Sequence, residues 1–95
     1  MKGFELIAIE RYEQIDKHGR TVEMDVKIND FYQLSEAAKY LTIPSVDGLE
    51  PDNFCPEGWD LDIWRKMFGK PYKERLIIAG ALICAEIDRL TFVEN

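Results

Sequence analysis

Glu10 and Glu13, in the run Glu10-Arg11-Tyr12-Glu13, are the residues of this 95-residue chain whose type and spacing most directly offer chemistry. An E-x-x-E spacing brings two carboxylates to neighbouring positions on a helix, where they could present hard oxygen ligands to Mg²⁺. A second pair, Glu86 and Asp88, stands near the other end of the chain. Its i, i+2 spacing turns the two carboxylates to different sides of a helix. Glu10, Glu13, Glu86 and Asp88 are thus the candidate catalytic acids, and Mg²⁺ is a cofactor only under that enzymatic reading. Other chemistries find less support. His18 is the single histidine and precedes Gly19, the place of a helix cap or core partner rather than of a base. Cys55 and Cys84 lack a Cys-x-x-Cys spacing, which argues against a zinc site or a disulfide framework. Neither a glycine-rich phosphate loop nor a serine nucleophile motif is present.

Glu86 also raises a question of burial. The stretch from Pro71 to Leu90 reads as a helix apolar on nearly every side, the pattern of a helix covered by several neighbours. On it Tyr72, Arg75, Ala79, Leu82, Ile83, Glu86 and Leu90 share one side, with Asp88 nearly opposite. An ionised carboxylate buried alone is costly, so Glu86 either stays protonated or meets a cation. Arg11 or His18 of the first helix is the expected partner. Arg11, Gln14, His18 and Glu86 then form a buried polar network that sets helix register, with Arg75 extending it. Cys84 is expected to be buried on the same helix, as an apolar thiol.

The elements that must position these groups follow from periodicity. The first helix is predicted from Phe4 to Lys17, stopped by Gly19, with Phe4, Ile7, Ala8, Arg11, Tyr12, Ile15 and His18 facing inward. From Arg20 to Ile28, Val22, Met24, Val26 and Ile28 alternate with charged residues, a period of two. A lone strand leaves its backbone unpaired, so this stretch is expected as an extended segment over the helices, or paired with a second copy. Asn29 or Asp30 caps a helix from Phe31 to Leu41 with the stripe Phe31, Leu34, Ala38 and Leu41. A long loop follows, punctuated by Pro44, Gly48, Pro51, Pro56 and Gly58. Ile43, Val46, Leu49, Phe54 and Trp59 are available to pin it. Asp60 caps a helix from Leu61 to Phe68, with Ile63, Trp64, Met67 and Phe68 inward, and Pro71 opens the last helix. The expectation is an all-α fold: one domain over 1–95, a small bundle of about four helices around a central apolar C-terminal helix, with one extended segment and a long loop.

Net charge and its distribution bound the partners. A charge of −6 argues against general nucleic-acid binding, which needs basic groups at phosphates. No apolar run approaches the ~20 residues of a membrane span, and a cytoplasmic protein is expected. Asp47 to Asp62 contains six acids and no Lys or Arg. Asp47, Glu50, Asp52 and Glu57, together with Trp59, therefore make a candidate loop for binding a protein partner. A homodimer is a further expectation, through the extended segment or the Trp64 face.

The motifs Glu10-Arg11-x-x-Gln14-Ile15-x-Lys17-His18-Gly19-x-Thr21, Gln33-Leu34-x-x-Ala37-Ala38, Gly58-Trp59-Asp60 and Lys70-Pro71-Tyr72-x-x-Arg75-Leu76-x-x-Ala79-Gly80-Ala81-Leu82-Ile83-x-Ala85-Glu86-Ile87-Asp88-Arg89-Leu90 resemble those of a group of small phage and prophage accessory proteins. The resemblance covers most of the chain but carries over no activity; an accessory origin of that kind suits a non-enzymatic module that binds and modulates a protein. Some members of that group place a His before the acid that is here Asp25; Met24 stands in its place. The Glu10/Glu13 pair is also similar to the first motif of the MazG-like all-α nucleotide pyrophosphohydrolases. Their E-x-x-E and E-x-x-D motifs hold Mg²⁺ against nucleotide phosphates, and Glu86-Ile87-Asp88 departs from the second. A Mg²⁺-dependent nucleotide pyrophosphohydrolase is the alternative that this similarity implies.

Overall fold

The computed structural model describes residues 1–94, and among them every regular element is helical. The order is α1 (Gly3–His18), α2 (Val22–Ile28), α3 (Gln33–Leu41), a 3₁₀ turn at Pro51–Phe54, α4 (Leu61–Phe68) and α5 (Tyr72–Glu94). Central α5 packs against α1, α2 and α3, while α4 closes the bundle beside the 3₁₀ turn. None of the described helices is long and apolar enough to cross a membrane.

The fifth helix is the one that alternation concealed. Residues 22–28 are not extended. Thr21 caps α2 by accepting from the Met24 N–H at 3.3 Å, and the Asn29 N–H closes it on the Asp25 carbonyl. The reason lies in which side faces in. Asp25 and Asn29 are buried, Val22 and Val26 are partly so, and Met24 and Ile28 are exposed. That inward face has helical spacing, but its centre is polar, so a search for apolar periodicity finds only the alternation of Val, Met, Val and Ile. The extended segment and its pairing with a second copy are both excluded. Trp64 is fully buried, so the helix from Leu61 offers no Trp64 face to a dimer either.

Chain punctuation sets the other boundaries. Gly19 takes a left-handed φ of 63°, which lets the Gly19 and Arg20 N–H groups reach the Ile15 and Gln14 carbonyls and stop α1. The inward face of α1 is shifted from its predicted centre: Arg11 and Gln14 are buried, whereas Phe4, Tyr12 and His18 are exposed. Asp60 Oδ1 accepts from the Ile63 N–H at 3.0 Å to start α4, which buries Trp64, Met67 and Phe68 but leaves Ile63 outside. Helix α3 begins at Gln33, so Phe31 lies before it and is exposed; Leu34, Ala37, Ala38 and Leu41 form its core face.

Small residues allow close approach at the centre. Ala79, Ala81 and Ala85 are buried on α5, and a Cβ at Gly80 would lie 2.6 Å from Ile7 Cδ1. The long loop is pinned as well. The Trp64 indole N–H donates to the Pro51 carbonyl at 2.9 Å, and Phe54 stacks on Phe68 with ring centroids 5.6 Å apart. Arg65 forks onto Asp52 at 2.8 and 2.7 Å.

Candidate functional site

Among the described residues seven polar or charged ones are buried, including Arg11, Gln14, Asp25, Asn29, Glu86 and Arg89. They occupy α1, α2 and α5, and their pairing differs from the expected network. Glu86 is held by Arg89, one turn further along α5, through Nε and through Nη2 at 3.1 Å. Arg89 Nη2 also donates to the Phe31 carbonyl at 3.0 Å, tying α5 to the start of α3. Arg11 pairs instead with Asp88 at 3.4 Å and donates to the Arg20 carbonyl at 3.1 Å. His18 is exposed and takes no part. Cys84 is likewise exposed rather than buried. Arg75 does not extend this network, because it lies at the opposite end of α5, bonded to the carbonyls of Leu41, Ile43, Pro44 and Lys70.

The four candidate catalytic acids are therefore divided. Glu10 and Glu13 line one cleft of about 360 Å³ with Gln14, Arg20, Lys66 and Lys70. Gln14 donates to Glu10 at 3.4 Å, and Glu13 lies 3.9 Å from Lys17. Glu86 and Asp88 are engaged by arginines elsewhere, as described. Among the described residues no three His, Cys, Asp or Glu side chains converge as a metal-binding group. Mg²⁺ is ordinarily held by one or two carboxylates, with waters and substrate phosphates filling the rest of its shell.

A second cleft, of about 190 Å³, lies between α2 and the segment Gly58–Ile63. Its floor is built by hydrogen bonds. Asn29 Nδ2 donates to Asp25 Oδ1 at 2.8 Å, and the Trp59 indole N–H donates to Asn29 Oδ1 at 2.7 Å. Asp25 is 1% exposed, and burial pushes its carboxyl above the usual carboxylate range, against the lowering by Asn29, Arg11 and Arg20. Arg20 lies 5.2 Å over the Trp59 ring, and burial lowers its own pKa. The rim is apolar: Met24 is 43% exposed, Ile28 47% and Ile63 45%. Asp25 Oδ2, Gln14 Oε1 and Arg11 Nε are buried without a hydrogen-bond partner.

The candidate binding loop separates in the same way. Trp59 forms a wall of this cleft, whereas Asp47, Glu50, Asp52 and Glu57 are exposed and outside it. The Arg65 hydrogen bonds hold the Asp52 carboxyl below its usual range. Asp25, Asn29, Arg20 and Arg89 were absent from the sequence-based site. For α2 a signal existed: Thr21 as a cap, with Asp25 and Asn29 four residues apart on one helix face. Comparison with protein-family models, curated proteins and solved structures finds no match to this chain.

Proposed function

We propose that this chain is a small non-enzymatic accessory module that binds and modulates a protein partner through the cleft between α2 and Gly58–Ile63. The observation that supports it is the exposed apolar rim of Met24, Ile28 and Ile63 around a floor whose Asp25, Asn29 and Trp59 groups bond to one another. Apolar rims of this kind suit an inserted apolar side chain. The likeness of the motifs to phage and prophage accessory proteins fits the same role. The test is selection of binders from a random peptide library, followed by titration of the selected peptide into isotope-labelled protein. Amide shifts should gather at Met24, Ile28, Trp59 and Ile63, and Ile63→Glu should weaken binding by about tenfold or more. Shifts confined to other surfaces would reject the cleft.

One observation favours a second reading, a Mg²⁺-dependent nucleotide pyrophosphohydrolase. Glu10 and Glu13 share their cleft with Arg20, Lys66 and Lys70, so two carboxylates stand beside cations suited to phosphate oxygens. Titration with Mg²⁺ and Mn²⁺, with and without nucleoside triphosphates, decides between the two. Saturable shifts at Glu10 and Glu13, with pyrophosphate release lost in Glu10→Gln, would replace the binding module by the enzyme. An unchanged spectrum would remove the enzyme.

A further inference from the structure

Helix α5 carries two apolar faces, and the bundle covers one of them. Ala79, Leu82, Ala85 and Glu86 are buried against α1, α2 and α3. On the adjoining outer side Leu76 is 38% exposed, Ile83 47%, Ile87 57% and Leu90 43%. Leu76, Ile83 and Leu90 are spaced by seven residues. A seven-residue recurrence returns a side chain to within roughly 20° of the same helix face, so Leu76, Ile83 and Leu90 line one side of α5 with Ile87 beside them, while Ile7 of α1 packs at Gly80 along its edge.

We infer that this face joins two copies of the chain, α5 against α5 and antiparallel, about a twofold axis at Ile83. The stripe is symmetric in sequence, since Leu76 precedes Ile83 by the same distance at which Leu90 follows it. Antiparallel packing therefore sets Leu76 of one copy against Leu90 of the other and Ile83 against itself, the self-complementarity that a twofold interface requires. Charge selects the same direction. Exposed Lys73 stands at the start of α5 and exposed Glu94 at its end, so antiparallel copies bring opposite charges together and oppose their helix dipoles, whereas parallel copies would stack like on like. A net charge of −6 disfavours an anionic bilayer as the occupant.

The size of the face sets the strength. A helix of 23 residues is roughly 34 Å long. Pairing two such helices along a single stripe buries on the order of 1,000 Å² in total, at the lower edge of specific interfaces. The dimer is accordingly reversible and concentration-dependent. It uses a surface separate from the Trp59 cleft, so it stands or falls independently of the proposed binding function.

Sedimentation equilibrium of the full chain, from about 10 μM to about 1 mM, tests the pairing. The expected result is a monomer–dimer equilibrium that Ile83→Lys weakens by about tenfold or more, because it sets two cations across the axis. Ile83 is exposed, and far-ultraviolet circular dichroism checks that the variant keeps its helices. Lys73→Glu should weaken the dimer, and Lys73→Glu combined with Glu94→Lys should restore it. A wild-type monomer at the highest concentration, a dimer indifferent to Ile83→Lys, or charge reversal without rescue would overturn the inference. So would binding of the monomer to phosphatidylglycerol vesicles through this face.

Discussion

A charged side chain inside a 95-residue domain needs a partner within the same few ångströms, and Glu86 finds one in Arg89, a turn further along α5. The pair is shielded from water and held by a third group, the Phe31 carbonyl. Removing one member leaves the other charged and uncompensated. Glu86→Ala should therefore cost about 3–5 kcal/mol, whereas replacing both residues by apolar ones of similar volume should cost far less. Urea denaturation of the two variants checks this, and a Glu86→Ala loss below ~1 kcal/mol would place the pair with exposed ion pairs. The need for a cation was readable from the acid's place on an apolar helix. Its identity was not, because residues 86 and 89 share a helix face with neighbours that only packing makes buried.

At the scale of elements, Arg75 shows how one side chain can finish a helix that is remote in sequence. Helix α3 ends at Leu41 without a glycine stop, and its last carbonyls need donors. Arg75 donates to the last of them, Leu41, at 2.9 Å, and beyond the helix to Pro44 at 3.2 Å and to Ile43, while its Nε donates to the Lys70 carbonyl at 2.9 Å. Its positive charge also lies at the negative end of the α3 dipole. Arg75→Ala should destabilise by about 2–4 kcal/mol, since one buried and three partly buried carbonyls lose a charged donor together. Arg75→Lys should recover little, because an ammonium cannot span acceptors placed for a planar fork. Thermal unfolding of both variants distinguishes a lost charge from lost geometry. Helix α4, by contrast, carried its own signals: Asp60 as cap, Gly69 as stop and an apolar stripe, and its predicted and observed bounds coincide.

Across the whole molecule, two carboxylates make stability respond to pH with opposite signs. Burial raises the Asp25 pKa above its ordinary value of 3.8, so only between that value and the raised one does the folded state hold a proton that the unfolded chain has released. That contribution is complete below 3.8 and is lost as pH rises through the raised value. The hydrogen bonds of Arg65 lower the Asp52 pKa, so its contribution is present above 3.8 and is lost as pH falls through the lowered value. Asp25→Asn keeps an oxygen for Asn29 and removes the buried charge. It should raise Tm by a few degrees at neutral pH, with the gain closing below pH 3.8, as followed by circular dichroism melts. No gain at neutral pH would refute a strained Asp25 carboxylate. Local signals along the chain determined the all-helical class, the bounds of α4 and, to within a residue at each end, those of α1, and the presence of a buried acid on α5, because caps, glycine stops and apolar spacing act within a few residues. Tertiary structure alone decided that residues 22–28 are helical, that Arg89 rather than Arg11 holds Glu86, and that Asp25, Asn29 and Trp59 meet across a cleft. Those outcomes depend on which polar face is covered by residues far away in the chain, and spacing along one segment carries no record of that.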